Sequence, residues 1–351
     1  MKHECGDTKP NGPEAFFCLV NDKFLKAVKA RGIVDRHYCI GGYHVILRFA
    51  GSALLNSMTQ AMDHLTADAT PPDLSISLWD SESTGVSPPQ TLWSMEDILC
   101  RGDIKGLNDC RFRTNAQMND CILSALDIDS NHAISWAGNA AVIPYYERSA
   151  PLKIILHWWM ERHHRQIIHA AAVGNTKQAV LIVGKSGSGK SNTSLTCLSA
   201  GMSYLGDDYV LVDKESPPNV YSLYSTGRFY SEDLPRFSFV SKAIGSVSSS
   251  EKSIAYLYKD FRAQIKKKLP IYAILVARLV QRAETRLYKT SSAVAMSALA
   301  PSSIFQLGGG QSAFQTVAGL AGKLPCYILE IGTDPTFIPD AILGLLNGRS
   351  S

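Results

Sequence analysis

The feature of this sequence that most restricts its fold is the segment 184–191, which reads Gly-Lys-Ser-Gly-Ser-Gly-Lys-Ser. It matches the G-x-x-x-x-G-K-S pattern of a phosphate-binding loop, and the apolar run 179–183 comes directly before it. Glycines let the backbone curl so that successive N–H groups point inward at phosphate oxygens. Lys190 can reach the outer phosphates, and the hydroxyl of Ser191 can ligate Mg²⁺. We therefore predict a strand, a loop and a helix whose N-terminus binds a nucleoside triphosphate.

The predicted nucleotide-binding residues are the whole loop: Gly184, Lys185, Ser186, Gly187, Ser188, Gly189, Lys190 and Ser191.

An acidic pair, Asp207-Asp208, comes after the loop and precedes the apolar run 210–212. One helix and a short return are expected to bring this second strand alongside the first, so that the carboxylates face the phosphates. One carboxylate can then hold the metal while the other accepts a proton from an attacking hydroxyl, and the sequence leaves their order open. An isolated Asp-Asp is more often a turn or a helix cap. Its position after a phosphate loop favours the functional interpretation.

Upstream of the loop, His169 lies in the apolar run 166–173, which is typical of a strand. A histidine in such a run is, on its own, more often a core residue than a site residue. Downstream, Arg228 and the pair Glu251-Lys252 could supply charge to a transition state, or could be surface charges.

In combination, these residues carry a resemblance. The segment His169–Val173, the phosphate loop and Gly206-Asp207-Asp208 resemble the HPr kinase/phosphorylase family, whose nucleotide site shares its fold with phosphoenolpyruvate carboxykinases. More closely, the chain is similar to HPr-kinase-like serine kinases found with lasso-peptide biosynthesis, which phosphorylate a C-terminal serine of a precursor peptide. The resemblance covers about residues 145–345.

The resemblance implies an α/β fold with a P-loop domain of the HPr kinase/phosphoenolpyruvate carboxykinase type over residues 146–351. The strands and the helix expected before it indicate an N-terminal α+β domain over residues 1–145. It also implies catalytic roles for Asp207, Asp208, His169 and Lys190, with Mg²⁺ held by Ser191, Asp207 and Asp208. The HPr enzymes carry a further metal-binding Glu followed by Arg-Gly, and this chain has no Glu-x-x-Arg-Gly.

The function that these expectations describe is an ATP-dependent serine kinase, which transfers the γ-phosphoryl group to a serine hydroxyl of a peptide or protein, a lasso-peptide precursor being one candidate. Its cofactors are ATP and Mg²⁺. Two alternatives stay open. The loop could serve a nucleotide-gated binding module without phosphoryl transfer, or the chain could be a small-molecule carboxykinase-like enzyme, although no oxaloacetate-binding set of basic residues is identifiable.

Composition restricts the partners. A net charge of +4 with 19% charged residues is too mild for a nucleic-acid binder, which usually shows a concentrated basic face. Eight cysteines occur without a C-x-x-C pair, and no run of eighteen apolar residues occurs. We therefore expect a cytoplasmic protein whose partner is a peptide or protein substrate, with no nucleic-acid or membrane partner.

The sequence also predicts individual elements. They are a helix over 13–30, a hairpin turning at Gly41-Gly42, a helix over 52–67, a strand over 74–79, a loop over 81–90 and a helix over 151–165 that carries Trp158 and Trp159.

Overall fold

The computed structural model describes residues 12–89, 95–99, 101–246, 252–305 and 310–348, which form a mixed α/β structure. The chain divides into two compact units. Unit 1 comprises the described residues of Met1–Cys39, Tyr43–Met58 and Ala67–Pro144, and unit 2 comprises those of Ile40–Gly42, Thr59–Thr66 and Tyr145–Ser351.

The elements of the N-terminal half are α1 (Pro13–Arg31), β1 (Ile33–Ile40), β2 (Tyr43–Ala50), α2 (Leu55–Thr59), β3 (Leu74–Asp80), α3 (Ser81–Thr84), β4 (Phe112–Gln117), β5 (Ile122–Asp127) and β6 (His132–Ala137). Among the described residues these strands form a six-stranded sheet in the order β1-β2-β3-β6-β5-β4. The neighbours β2, β3 and β6 are parallel, whereas β6, β5 and β4 run antiparallel.

Helix α1 builds the core of unit 1. Its apolar side chains Phe16, Val20 and Phe24 recur at helical spacing and are almost fully buried. They belong to one apolar cluster with Trp79 of β3 and Phe112 of β4. An amphipathic helix packed on a sheet in this way removes both apolar surfaces from water.

Most of the predicted elements of this half are confirmed. The helix over 13–30 is α1, the hairpin turns at Gly41-Gly42 between β1 and β2, and the strand over 74–79 is β3. The predicted helix over 52–67 was wrong in extent, because α2 is short and a 3₁₀ helix, Gln60–Leu65, comes after it.

The predicted loop over 81–90 was also partly wrong, because its first residues form α3. The carboxylate of Asp80 accepts a hydrogen bond from the N–H of Ser83 at 2.8 Å, which caps the helix, and Gly85 ends it in the left-handed region. Gln90 lies outside the described residues.

The elements of unit 2 continue with the helices α4 (Tyr145–Ser149), α5 (Lys153–Arg162), α6 (Lys190–Ser199), α7 (Ser292–Ala300), α8 (Gly310–Lys323) and α9 (Phe337–Leu346). Its strands are β7 (Arg165–Ile168), β8 (Ala171–Gly174), β9 (Ala179–Val183), β10 (Ser203–Gly206), β11 (Val210–Asp213), β12 (Asn219–Ser222), β13 (Thr226–Phe229), β14 (Ile244–Ser246), β15 (Ser253–Tyr256), β16 (Lys268–Leu279), β17 (Arg286–Thr290) and β18 (Cys326–Ile331). The predicted helix over 151–165 is α5, which buries Trp159 completely and Trp158 only in part.

The long strand β16 organises unit 2. Within the described part of the chain, a nine-stranded sheet has the order β10-β8-β9-β16-β12-β11-β7, and β18 and β17 are added beside β16. The first residues of β16 pair antiparallel with β12, and the remainder pairs parallel with β9 and β18. A separate small sheet has the order β13-β15-β14.

Helices cover both faces of this sheet. Strand β9 is apolar throughout, and successive residues face opposite sides, so that Ile182 packs in the cluster containing α6 and α9 while Leu181 packs in the cluster containing α7 and α8. A strand that is buried on both faces explains why its sequence is a continuous apolar run rather than an alternating one.

Two predictions about strand pairing were wrong. The run 210–212, which was expected alongside the strand before the loop, is β11, and β11 pairs with β12 and β7, whereas β9 pairs with β8 and β16. The run 166–173 is not one strand, because the chain leaves β7 at Ile168 and starts β8 at Ala171. At the break, the N–H of His169 donates to the hydroxyl of Ser303 at 3.1 Å instead of to a strand.

No helix in the described part of the chain combines the length and apolar character needed to span a bilayer.

Buried histidines lead to a prediction about stability. Burial lowers the pKa of His64 to about 3 and that of His157 to about 4, from 6.5. Because the unfolded chain takes up these protons as the pH falls below about 6.5 while the folded chain does not, the free energy of unfolding should fall with pH, by roughly 1.4 kcal/mol per pH unit for each histidine. Denaturant titrations between about pH 7 and about pH 4 measure this slope.

The variant His64→Gln should reduce the slope, since glutamine can still hydrogen-bond to Ser222, whose Oγ lies 2.7 Å from His64 Nε2. The control His164→Asn changes an exposed histidine at a positive-φ turn that asparagine accepts, and should keep the slope of the unsubstituted chain. Equal slopes in both variants would contradict the assignment to His64.

Candidate functional site

The loop between β9 and α6 has the tight curl that its sequence predicts. Gly184, Gly187 and Gly189 all have positive φ, at 147°, 78° and 95°. A Cβ on Gly184 would lie 2.7 Å from Ser188 Oγ, so the curl itself excludes a larger residue. Gly189 occupies the N-cap of α6 and has no side chain to bond the N–H groups of the first turn. Those N–H groups and the helix dipole are left to face an anion.

Lys190, the first residue of α6, folds back over this loop. Its Nζ donates to the carbonyl oxygens of Gly184 at 2.7 Å and of Lys185 at 3.2 Å, and the side chain is almost fully buried. Burial lowers the pKa of Lys190, although the carboxylates of Asp208 and Asp207 oppose the shift. The lysine therefore lies close to both the loop and the acidic pair.

Two chain connections run side by side next to the loop. His169 lies in the connection from β7 to β8, and residues 207–209 form the connection from β10 to β11. Because β7 pairs antiparallel with β11 and β8 pairs antiparallel with β10, the two connections are held opposite each other. His169 Nε2 consequently lies 2.9 Å from Asp208 Oδ1. The structure thus brings together His169 and Asp208, two residues that the sequence predicted for one site.

Asp208 is paired on both of its oxygens. Oδ1 faces His169, and Oδ2 forms an ion pair with the guanidinium of Arg228. Burial alone would raise the pKa of Asp208, but the charge of Arg228 and the hydrogen bond from His169 outweigh it, so the pKa lies well below its usual range. Asp208 is therefore a carboxylate that stays ionised.

Asp207 has the opposite electrostatic character. Its side chain is almost fully buried, and burial together with the neighbouring charge of Asp208 raises its pKa. Its Oδ1 accepts a hydrogen bond from Ser194 of α6 at 3.2 Å, its Oδ2 accepts one from the N–H of Arg228 at 3.0 Å, and it is also hydrogen-bonded to Ser191. Asp207 is thereby attached to the first turns of the helix that begins at the loop.

The position of Arg228 depends on the residue before it. A Cβ on Gly227 would lie 2.7 Å from Leu195 Cδ2, so glycine at this point lets β13 pack closely on α6. The side chain of Arg228 is only 16% exposed. The interpretation of this residue as a surface charge was therefore wrong. Lys252 lies 5.0 Å from the centre of the Tyr230 ring, and Glu251 lies outside the described residues.

Two further residues of the site, Lys153 and Tyr209, are not marked by any sequence pattern. The Tyr209 ring lies 5.4 Å from the His169 ring, and Lys153 Nζ lies 3.2 Å from the Tyr209 hydroxyl and 4.3 Å from the centre of its ring. The charge of Lys153 also helps to lower the pKa of Asp208. Lys153 comes from α5, far away in sequence, so no local motif could have found it.

The residues fit a phosphate group and a magnesium ion. Two buried donors, Ser188 Oγ and Arg228 Nε, have no hydrogen-bond partner among the described residues. The hydroxyl of Ser191 and the carboxylates of Asp207 and Asp208 are the oxygen ligands that Mg²⁺ prefers. No three His, Cys, Asp or Glu side chains of the described residues form a group that could hold a metal by themselves. Phosphate oxygens would be needed to complete the coordination of the metal.

Similarity of this chain to known proteins is found among solved structures. No protein-family model matches the chain, and no curated protein matches it. Among solved structures, the chain is similar to the Hpr(Ser) kinase/phosphatase from Coxiella burnetii, with 16% identity and a TM-score of 0.30, over 53% of this chain and 99% of that one. A likeness with so low a TM-score leaves the functional assignment to the chemistry of the site residues.

The different characters of the two aspartates predict different effects on stability. Asp207→Asn can keep its hydrogen bonds to Ser194 and Arg228, because the amide can donate to Ser194 and accept from the N–H of Arg228, and it removes a like charge beside Asp208. Asp208→Asn leaves the buried guanidinium of Arg228 without its ion-pair partner and should cost about 1–3 kcal/mol more. Thermal melting at neutral pH compares the two variants, with Asp260→Asn as an exposed control. A lower melting temperature for Asp207→Asn than for Asp208→Asn would contradict this interpretation.

Proposed function

We propose that this chain is an ATP-dependent serine kinase, which transfers the γ-phosphoryl group of ATP to a serine hydroxyl of a peptide or protein. The observation that carries the proposal is the acidic pair beside the start of α6, in which Asp207 is hydrogen-bonded to Ser194 of that helix and Asp208 is paired with His169 and Arg228; their pKa values shift in opposite directions. A site for phosphoryl transfer needs both a permanent anion for the metal and a carboxylate able to accept a proton.

The loop and Lys190 would hold the triphosphate. The first-turn N–H groups of α6 and the ammonium of Lys190 are oriented charges and dipoles that can neutralise phosphate oxygens without rearranging in the transition state. Lys190 is hydrogen-bonded to carbonyls of its own loop, which are weaker partners than phosphate oxygens. Replacing these carbonyl oxygens with phosphate oxygens therefore costs little free energy.

Asp208 and Ser191 would hold Mg²⁺, which supplies charge neutralisation on the phosphate oxygens when bound. Asp208 suits this role because its lowered pKa keeps it anionic. Asp207 would accept the proton of the serine hydroxyl as the serine oxygen bonds to the γ-phosphorus and the bond from phosphorus to the β–γ bridging oxygen breaks. Its raised pKa makes it the better proton acceptor of the pair, and its hydrogen bond to Ser191 keeps it next to the metal ligands.

His169 would orient the acidic pair. Its Nε2 lies 2.9 Å from Oδ1 of Asp208, and the pairings of β7 with β11 and of β8 with β10 hold its chain connection opposite that of the acidic pair. By its resemblance to the lasso-peptide kinases, the proposed acceptor is a serine at the C-terminus of a flexible precursor peptide. Such a terminus can deliver its hydroxyl to the loop with little steric demand.

Nucleotide binding is tested with two lysines of the same loop. Lys190→Ala should weaken binding of MgATP by roughly tenfold or more, because a buried ammonium next to the phosphates is lost. Lys185→Ala removes an exposed lysine of the same loop and should change the affinity by less than about threefold. Isothermal titration calorimetry measures both variants. Unchanged affinity in Lys190→Ala would reject the loop as the nucleotide site.

Phosphoryl transfer is tested by mass spectrometry. A precursor peptide that ends in serine, incubated with the protein and MgATP, should gain one phosphate on that serine, and the peptide with alanine at this position should gain none. The variant Asp207→Asn should still bind MgATP, but its transfer rate should fall by about 10²-fold or more. ATP turnover or binding without any phosphopeptide would favour the nucleotide-gated binding module instead.

A further inference from the structure

Arg228 contacts both carboxylates of the acidic pair. Its backbone N–H donates to Asp207 at 3.0 Å, and its guanidinium forms an ion pair with Asp208. The backbone contact is fixed by the antiparallel pairing of β13 with β15 and by the close approach of β13 to α6 at Gly227. The guanidinium can change partners without disturbing these contacts, because only its side-chain torsions need to rotate.

The ion pair occupies an oxygen of Asp208 that a metal would need. With Oδ1 facing His169 and Oδ2 facing Arg228, the carboxylate of Asp208 already has a cation beside it. A divalent ion that approaches must displace the guanidinium and also meet its positive charge at short range. In a site this buried, like-charge repulsion is screened only weakly.

The guanidinium also has unused donor capacity. Its Nε is buried and has no hydrogen-bond partner among the described residues, although an arginine can donate five hydrogen bonds in a planar fork. Phosphate oxygens are the partners that this fork binds best. An anion bound at the loop would therefore draw the guanidinium away from Asp208.

We propose that Arg228 is a positioning residue that excludes free divalent metal from Asp208, so that the metal enters together with the nucleotide. The inference rests on the proposed function, which makes Asp208 a metal ligand. It goes beyond that function in assigning Arg228 an internal counter-ion role: Arg228 neutralises Asp208 while no nucleotide is bound.

The test is a titration with Mn²⁺ alone, without nucleotide, monitored by electron paramagnetic resonance at one fixed pH for all variants. Arg228→Gln should bind Mn²⁺ roughly tenfold more tightly than the unsubstituted chain, because a unit positive charge beside the ligand is lost. The matched variant Arg228→Lys keeps the charge and should stay within about threefold of the unsubstituted chain. A merely structural role predicts the reverse direction, since a damaged site binds metal less well.

Arg228→Met, which keeps an unbranched apolar stem without the charge, replaces Arg228→Gln if circular dichroism finds the glutamine variant unfolded. Equal or weaker Mn²⁺ binding in the folded, uncharged variant overturns the proposal. So does a gain in affinity in Arg228→Lys as large as in the uncharged variant. The titration contains no nucleotide, so its result can be interpreted independently of the kinase proposal. Failure of the kinase proposal would appear instead as absent ATP binding or absent phosphopeptide.

Discussion

The candidate site depends on one constraint of the backbone: two chain connections are held opposite each other by antiparallel strand pairs on both sides. The pairing of β7 with β11 and of β8 with β10 places the backbones of His169 and Asp208 opposite each other, so that their side chains can meet. A short connection anchored at both ends by paired strands keeps its geometry better than a free loop does. The hydrogen bond between the two residues is therefore a consequence of sheet register.

A second constraint is electrostatic. Two adjacent carboxylates in a buried position cannot both be ionised unless cations compensate them. The protein supplies unequal compensation, because Arg228 pairs with Asp208 while Asp207 receives mainly neutral hydrogen bonds. The pKa values of the pair consequently move apart, so that two chemically identical side chains differ in how readily they bind a proton.

Part of this arrangement could be predicted from the sequence and part could not. The loop, Lys190 and the hairpin at Gly41-Gly42 result from local rules, because glycine conformations and helix termini are set by neighbouring residues. The break at His169 could not be predicted, since a run of apolar residues does not reveal which strand each residue joins. The sequence left open whether Arg228 supplies charge to the site or lies on the surface, for a similar reason. The burial of Arg228 depends on the close packing of Gly227 against α6, and no periodic pattern in the sequence predicts such a contact.

Strand β16 has a consequence for how the protein is made. The residues of β9 directly before the phosphate loop pair with Ile271–Val276, far further along the chain. A parallel strand pair of this kind forms only after the loop between its partners has been closed, which makes it a late event in folding. During translation, β9 therefore cannot pair with β16 until most of unit 2 has left the ribosome. Apolar on both faces, it depends in that interval on early packing against β8 and α6, or on a chaperone, to avoid association with other nascent chains.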